Sequence, residues 1–359
     1  MTMKMTFRWY GINDKITLKH ISQIPGINGV VTSLIDIPVG EIWPLEDIVK
    51  LKKYVDSYDL NLDVIESVNV HESIKLGDEH RDMYIENYKK TLKNLSKIGI
   101  KTVCYNFMPI FDWTRTDLAK PLKDGSTALS FDHEQLKNLK PSDLLDVIKK
   151  GSKDIIIPGW ELDRLDEIED LFKEYESVSE EDLWKNLRYF LEAIIPTANE
   201  CGINMAIHPD DPPWSIFGLP RIITCKENLQ KLIDLVDSPR NGITLCSGSL
   251  GPNAKNDIPD MIRDFGEQGR LHFGHIRNIK RLSDNSFHEA SHLSREGSLD
   301  IYEIVKAYSD IDFQGHIRPD HGRMIWDEEG MPGYGLYDRA LGIAYLNGLY
   351  EALSKGKNV

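Results

Sequence analysis

A β-rich run followed by an amphipathic helical pattern recurs along this chain, and that alternation restricts its fold more than any other feature. The strand runs are 6–11, 29–35, 61–68, 101–107, 203–209, 242–248, 271–278 and 313–320. Helical patterns lie between them, such as 44–58, opened by Pro44, and 81–97, closed by Gly99, and later 181–199, 225–236 and 299–308. A last pattern over 336–354 closes the series. Strands alternating with helices imply parallel pairing, because a parallel strand pair needs a crossover connection. Eight such units predict a closed (β/α)₈ barrel, a TIM barrel in one domain over 1–359, rather than an open doubly wound sheet. No G-x-G-x-x-G follows the first run, so the main signal for a dinucleotide fold is missing.

One interval breaks the rhythm. Between the fourth and fifth runs, residues 107 to 203, the chain is much longer than one crossover needs, so an insertion over 111–178 is expected. Its first part, 111–140, reads as loop, and 141–150 and 160–175 read as helices. Leaving from the C-terminal end of a strand, it would overhang the face where barrel enzymes carry their active sites.

The bulk properties exclude several function classes. The formal net charge of −14 opposes binding to a phosphate backbone, which relies on clustered Lys and Arg, so no nucleic-acid partner is expected. No apolar stretch reaches the length of a membrane span, and the start lacks the apolar region of a secretory signal. Cys104, Cys201, Cys225 and Cys246 show no C-x-x-C spacing, which suits a reducing cytoplasm. A small-molecule substrate is the expectation.

Catalytic groups of a barrel sit at the C-terminal ends of its strands. There the fifth to eighth runs present His208, Cys246, His275 and Asp320 in turn. Two imidazoles, a thiolate and a carboxylate can hold a divalent ion while leaving room for a substrate. The pleat agrees: His316, Arg318 and Asp320 share one face of the eighth run, and His208 is in phase with Asn204 and Ala206. Further polar residues gather at the other ends: Arg8 and Trp9, Glu66 with His71 beyond it, Asn106, and then Asp112, Trp113 and Arg115. Trp9 and Trp113 suit sugar stacking or plain packing. Arg115 and Arg318 suit carboxylate clamps or structural ion pairs.

The runs Val-Ile-Glu-Ser-Val at 64–68, Cys-Tyr-Asn-Phe-Met-Pro at 104–109, Phe-Asp-Trp-Thr-Arg-Thr at 111–116 and His-Ile-Arg-Pro-Asp-His-Gly-Arg at 316–323 resemble those of mannonate dehydratases. The resemblance extends from Phe7-Arg-Trp-Tyr-Gly11 to the last helix. It implies a xylose-isomerase-like barrel that eliminates water from D-mannonate to give 2-keto-3-deoxy-D-gluconate in hexuronate catabolism. It also implies Mn²⁺, with Fe²⁺ or Co²⁺ as alternatives, on His208, Cys246, His275 and Asp320. A thiolate is soft and by itself favours zinc or iron, so manganese rests on the resemblance. For proton transfer the candidates are His321 and Tyr334, aided by Arg318. Arg8, Trp9, His71, Asn106 and Arg115 are the candidates for holding an aldonate. A cytoplasmic homodimer completes the expectation. The competing readings are a sugar isomerase or epimerase of the same barrel superfamily and a carbohydrate-binding protein without catalysis.

Overall fold

Eight parallel strands close into a barrel in a computed structural model that describes residues 3–136, 165–283 and 285–356. They are β1 (Lys4–Arg8), β2 (Gly29–Thr32), β3 (Asn61–Glu66), β4 (Thr102–Tyr105), β7 (Asn204–Ile207), β8 (Asn241–Cys246), β9 (Leu271–Ile276) and β12 (His316–Pro319). Sequential neighbours pair around the ring, and β1 closes on β12 through Lys4 opposite His316 and Met5 opposite Ile317. Each of the eight expected runs overlaps one barrel strand. The observed strands stop earlier because their last residues have left the ladder for the catalytic loops.

Parallel barrel strands are covered on both faces, so β8 and β9 are buried along their whole length. The outer helices bury one stripe each. In the helix Glu180–Cys201 that stripe is Leu183, Leu187, Phe190, Leu191 and Ile194, at helical spacing. Ser179 and Asp182 form a capping box at its start, and Gly202, at φ 66°, ends it in the left-handed region.

The segment after β4 corrects one expectation. Residues 117–131 are not loop: β5 (Asp117–Pro121) and β6 (Thr127–Phe131) form a hairpin. A second hairpin, β10 (Asn278–Ser283) and β11 (Ser286–Ala290), follows β9, and the four make an antiparallel sheet in the order β10-β11-β6-β5. The signal was local. Asp124-Gly125 between two short runs is a hairpin turn, and Gly125 takes the positive φ of 85° that such turns require. β6 buries its side chains against β11, giving two short ribbons a shared face that neither has alone.

The expected helix over 160–175 is present as Leu165–Tyr175, whereas 141–150 lies outside the described residues. Ile168, Phe172 and Tyr175 pack on Phe111 and Leu219, and the Tyr175 hydroxyl donates to Glu72 at 2.6 Å. The insertion is thereby fastened beside the loop that follows β4. No helix among the described residues is long and apolar enough to cross a membrane.

Candidate active site

The barrel interior changes character over one pleat repeat. Val31, Val64, Cys104, Ala206 and Phe273 form a buried apolar layer across it. Two residues further along the chain, at the same phase, stand Glu66, Asn106, His208 and His275. The Phe273 ring meets His275 edge-on with centroids 4.6 Å apart, so the apolar layer is the floor of the polar one. A water-excluding floor strengthens every charge interaction above it.

On that floor the ligand atoms of His208, Cys246 and His275 all lie within 4.8 Å of one another. Nδ1 of His208 is 2.7 Å from the Pro209 carbonyl oxygen, which only accepts; the proton therefore sits on Nδ1, and Nε2 keeps its lone pair for an ion. Cys246 Sγ lies 3.1 Å from Ser249 Oγ and 3.4 Å from Asp320 Oδ2. Asp320 thus adjoins the cluster through Cys246, while its carboxylate also meets Arg318 at 2.8 Å and Arg277 at 3.3 Å. Around these groups three buried guanidiniums (Arg115, Arg277, Arg318) face four buried carboxylates (Glu66, Asp211, Glu289, Asp320). The nitrogen and sulfur donors fit a divalent cation.

Burial opposes the charged form of Asp320, yet the neighbouring His321, Arg318 and Arg277 outweigh it and hold the carboxyl well below its usual range. Glu66 behaves alike: burial raises it, and Arg318 and His275 bring it down. Its carboxylate accepts two hydrogen bonds from Arg318, at 2.8 and 3.0 Å. Arg318 also donates to His275 at 3.2 Å. The arginine is held on three sides and keeps a fixed positive wall on the cavity.

His321 and Tyr334 form a dyad, with Nε2 2.6 Å from the phenol oxygen. Trp113 stands edge-on over His321, centroids 5.0 Å apart, and tilted over Tyr334 at 6.1 Å. Burial pushes the Tyr334 hydroxyl well above its ordinary value, as do the nearby Tyr10 and Asp320, so it stays protonated. Burial lowers the His321 ring from its ordinary value, although Asp320 pulls the other way. The dyad, Glu66, Asn106, His208, Arg318 and Asp320 all line one cavity of ≈ 70 Å³.

The family model described as D-mannonate dehydratase (UxuA) matches residues 3–359. The chain belongs to that family. It is 58% identical over 356 residues to a mannonate dehydratase of Thermotoga neapolitana, covering 99% of both chains. To one of Geobacillus thermodenitrificans it is 59% identical, covering 99% of this chain and 96% of that one. The crystal structure of mannonate dehydratase from Streptococcus suis serotype 2 superposes with a TM-score of 0.91 at 48% identity, over 99% of this chain and 96% of that one. A D-psicose 3-epimerase of Clostridium cellulolyticum H10, at 13% identity and a TM-score of 0.54 over 99% and 98% of the two chains, shares the barrel fold alone.

In this mannonate dehydratase family member the site candidates divide. His208, Asp320, Arg318, His321, Tyr334 and Asn106 line the cavity, Cys246 and His275 adjoin it through their cluster with His208, and Asn106 donates to Asp112 at 2.7 Å. Four others do not reach it. Trp9, only 2% exposed, stacks on Tyr54 in the outer core because its side chain points away from the barrel axis. His71 accepts the Ser73 N–H at the start of the helix Glu72–Leu76 and stacks on Tyr84 beside a separate cavity of ≈ 140 Å³. Arg8 donates to the Trp9 and Val31 carbonyls and covers the Tyr10 ring, acting on the site only through its charge near Glu66. Arg115 is fully buried and spent on Asp211, at 2.8 and 3.0 Å, and Glu289, at 2.8 Å, so it is not free to clamp a substrate.

Sequence reasoning missed Asp211, Ser249 and Glu289. Asp211 stands three residues after a proposed ligand in Pro-Asp-Asp-Pro-Pro, a pattern that offered a signal. Glu289 had none, because it lies on the hairpin that was not foreseen.

Proposed function

We propose that this chain is a mannonate dehydratase, a hydro-lyase that converts D-mannonate to 2-keto-3-deoxy-D-gluconate and water. The observation that carries the reading is the His321–Tyr334 dyad beside the His208, Cys246 and His275 cluster, linked through Asp320, which is 3.9 Å from His321 and 3.4 Å from Cys246. His208, Cys246 and His275, with Asp320 beside them, would hold a divalent ion that, when bound, supplies Lewis acidity to the substrate's C1 carboxylate and adjoining hydroxyl.

The chain's own groups do the rest. Dehydration breaks the C2–H and C3–O bonds; water leaves, and the resulting enol becomes the 2-keto acid. One proton must be taken and one given, and His321 and Tyr334 are the pair that moves them. Arg318 sets positive charge on the wall that the carboxylate faces. Asn106 offers its amide to the hydroxyls, and Trp113 covers the dyad against water.

Mn²⁺ is the proposed ion, with Fe²⁺ or Co²⁺ as alternatives, on the strength of the family resemblance. We also take the 111–178 segment as a cover of the catalytic face and the enzyme as a cytoplasmic homodimer. Incubating the metal-loaded protein with a panel of aldonates and detecting 2-keto-3-deoxy acids tests the function. Product from D-mannonate supports it; turnover confined to isomerisation or epimerisation, or binding without turnover, rejects it.

A further inference from the structure

Glu289 is a fully buried carboxylate on β11, outside the barrel, and the two guanidiniums paired with it, Arg115 and Arg277, lie outside its own hairpin. Its Oε1 accepts from Arg115 Nη2 at 2.8 Å and Arg277 Nη1 at 3.0 Å, and lies 3.1 Å from Nδ1 of His321. Its Oε2 finds no partner among the described residues. A carboxylate has about four lone-pair sites, so Glu289 is short of donors.

Nδ1 of His321 has a competitor, because Arg277 Nη1 lies 2.6 Å away. If the guanidinium donated there, the imidazole proton would sit on Nε2. But both terminal nitrogens of Arg277 have acceptors: Glu289 for Nη1, and Asp211 at 2.7 Å and Ser249 at 3.1 Å for Nη2, while Nε makes no hydrogen bond among the described residues, with the Asp320 carboxylate 3.3 Å away. A bare Nδ1 would also set its lone pair against a carboxylate oxygen in a dry site, which is repulsive. Placing the proton on Nδ1 satisfies Glu289, and it requires Arg277 Nη1, itself a donor, to draw back from its 2.6 Å contact and keep Glu289 as its acceptor.

We propose, on the basis of the function proposed above, that Glu289 is a positioning residue for the dyad: it accepts the Nδ1 proton of His321 and leaves Nε2 to accept from Tyr334. When the dyad works, the Tyr334 O–H bond breaks and an N–H bond forms at Nε2, giving a phenolate and an imidazolium with no change in total charge. Glu289 faces the imidazolium. The arrangement follows the logic of a nucleophile, a histidine and an orienting carboxylate, with a tyrosine in the first place. It makes the antiparallel sheet part of the catalytic apparatus, since β11 holds the carboxylate and β10 begins one residue after Arg277.

The test is nitrogen NMR of the ¹⁵N-histidine-labelled protein loaded with diamagnetic Zn²⁺, with the His321 signals identified by their loss in His321→Asn. The expected result is a protonated Nδ1 and a bare Nε2; a protonated Nε2 with bare Nδ1 overturns the proposal without any further variant. Glu289→Gln is then expected to lose that tautomer and to lower kcat by about 10²-fold or more, with KM and bound metal unchanged. A kcat within about threefold of the parent, or a fall that follows loss of metal while the tautomer persists, overturns it as well. Should Glu289→Gln fail to fold, Glu289→Asp keeps the charge for Arg115 and Arg277, draws the oxygen back from Nδ1, and is judged by the same two measurements. The tautomer is read without substrate, so failure to dehydrate D-mannonate would reject the function and leave this assignment standing.

Discussion

The phenol oxygen of Tyr334 lies 2.6 Å from Nε2 of His321, and neither residue belongs to the three-residue cluster that would hold an ion. Proton transfer and metal binding are therefore separable by mutation. His321→Asn and Tyr334→Phe should each lower kcat by roughly 10² or more while metal content stays near that of the parent. Steady-state kinetics with metal analysis checks this; loss of metal, or a raised KM with kcat intact, contradicts it.

Cys246 is buried between Ser249 and Asp320 within the proposed ligand set, and an elimination needs no covalent intermediate. Cys246→Ser should lose bound metal first and activity in proportion. Chelation should abolish turnover of the parent and Mn²⁺ should restore it. Full activity in a metal-free preparation, or full metal content in an inactive Cys246→Ser, would count against the assignment.

Two tryptophans give opposite expectations. Trp9 sits in the outer core, so Trp9→Ala should cost about 3–5 kcal/mol of stability and leave KM unchanged. Trp113 covers the dyad at the cavity, so Trp113→Ala should alter KM or kcat with a much smaller loss of stability. Denaturant unfolding and kinetics on both variants distinguish them.

Arg115 bridges Asp211 and Glu289 with no exposure to solvent. Arg115→Met leaves Arg277 as the one guanidinium bonded to both of these buried carboxylates and should destabilise the fold by about 3–5 kcal/mol. A urea midpoint unchanged from the parent would refute this and return Arg115 to the list of substrate clamps.

His272 carries a pH dependence. Burial, reinforced by the charges of Arg240 and Arg270, pushes it down to about 4. The folded chain therefore keeps the ring neutral where the unfolded chain, with an ordinary value of about 6.5, binds a proton. Stability is unaffected by this group above about pH 6.5, falls as pH drops toward 4, and levels off below, for a total of about 3 kcal/mol. Unfolding free energies between pH 7 and 4 should show that slope, and His272→Asn should flatten it.

Much of this protein was legible in the amino-acid order. The alternation of strand runs and amphipathic helices specifies a parallel barrel because a crossover helix is the connection that parallel neighbours need. The pleat's period of two then placed His208 and Asp320 toward one polar end, since it fixes the facing of a side chain once the strand is known. The tertiary structure decided what those periods cannot encode. Trp9 and Arg115 look like site residues in the sequence, and whether they reach the cavity depends on which neighbours fold against them: Tyr54 for the one, Asp211 and Glu289 for the other. Glu289 shows the limit most clearly. It comes to His321 from across 32 positions, on a strand whose pairing with β6 joins parts of the chain far apart in sequence. A contact of that kind has no local signature, because the two groups are brought together by the closing of the sheets and not by the spacing of the residues.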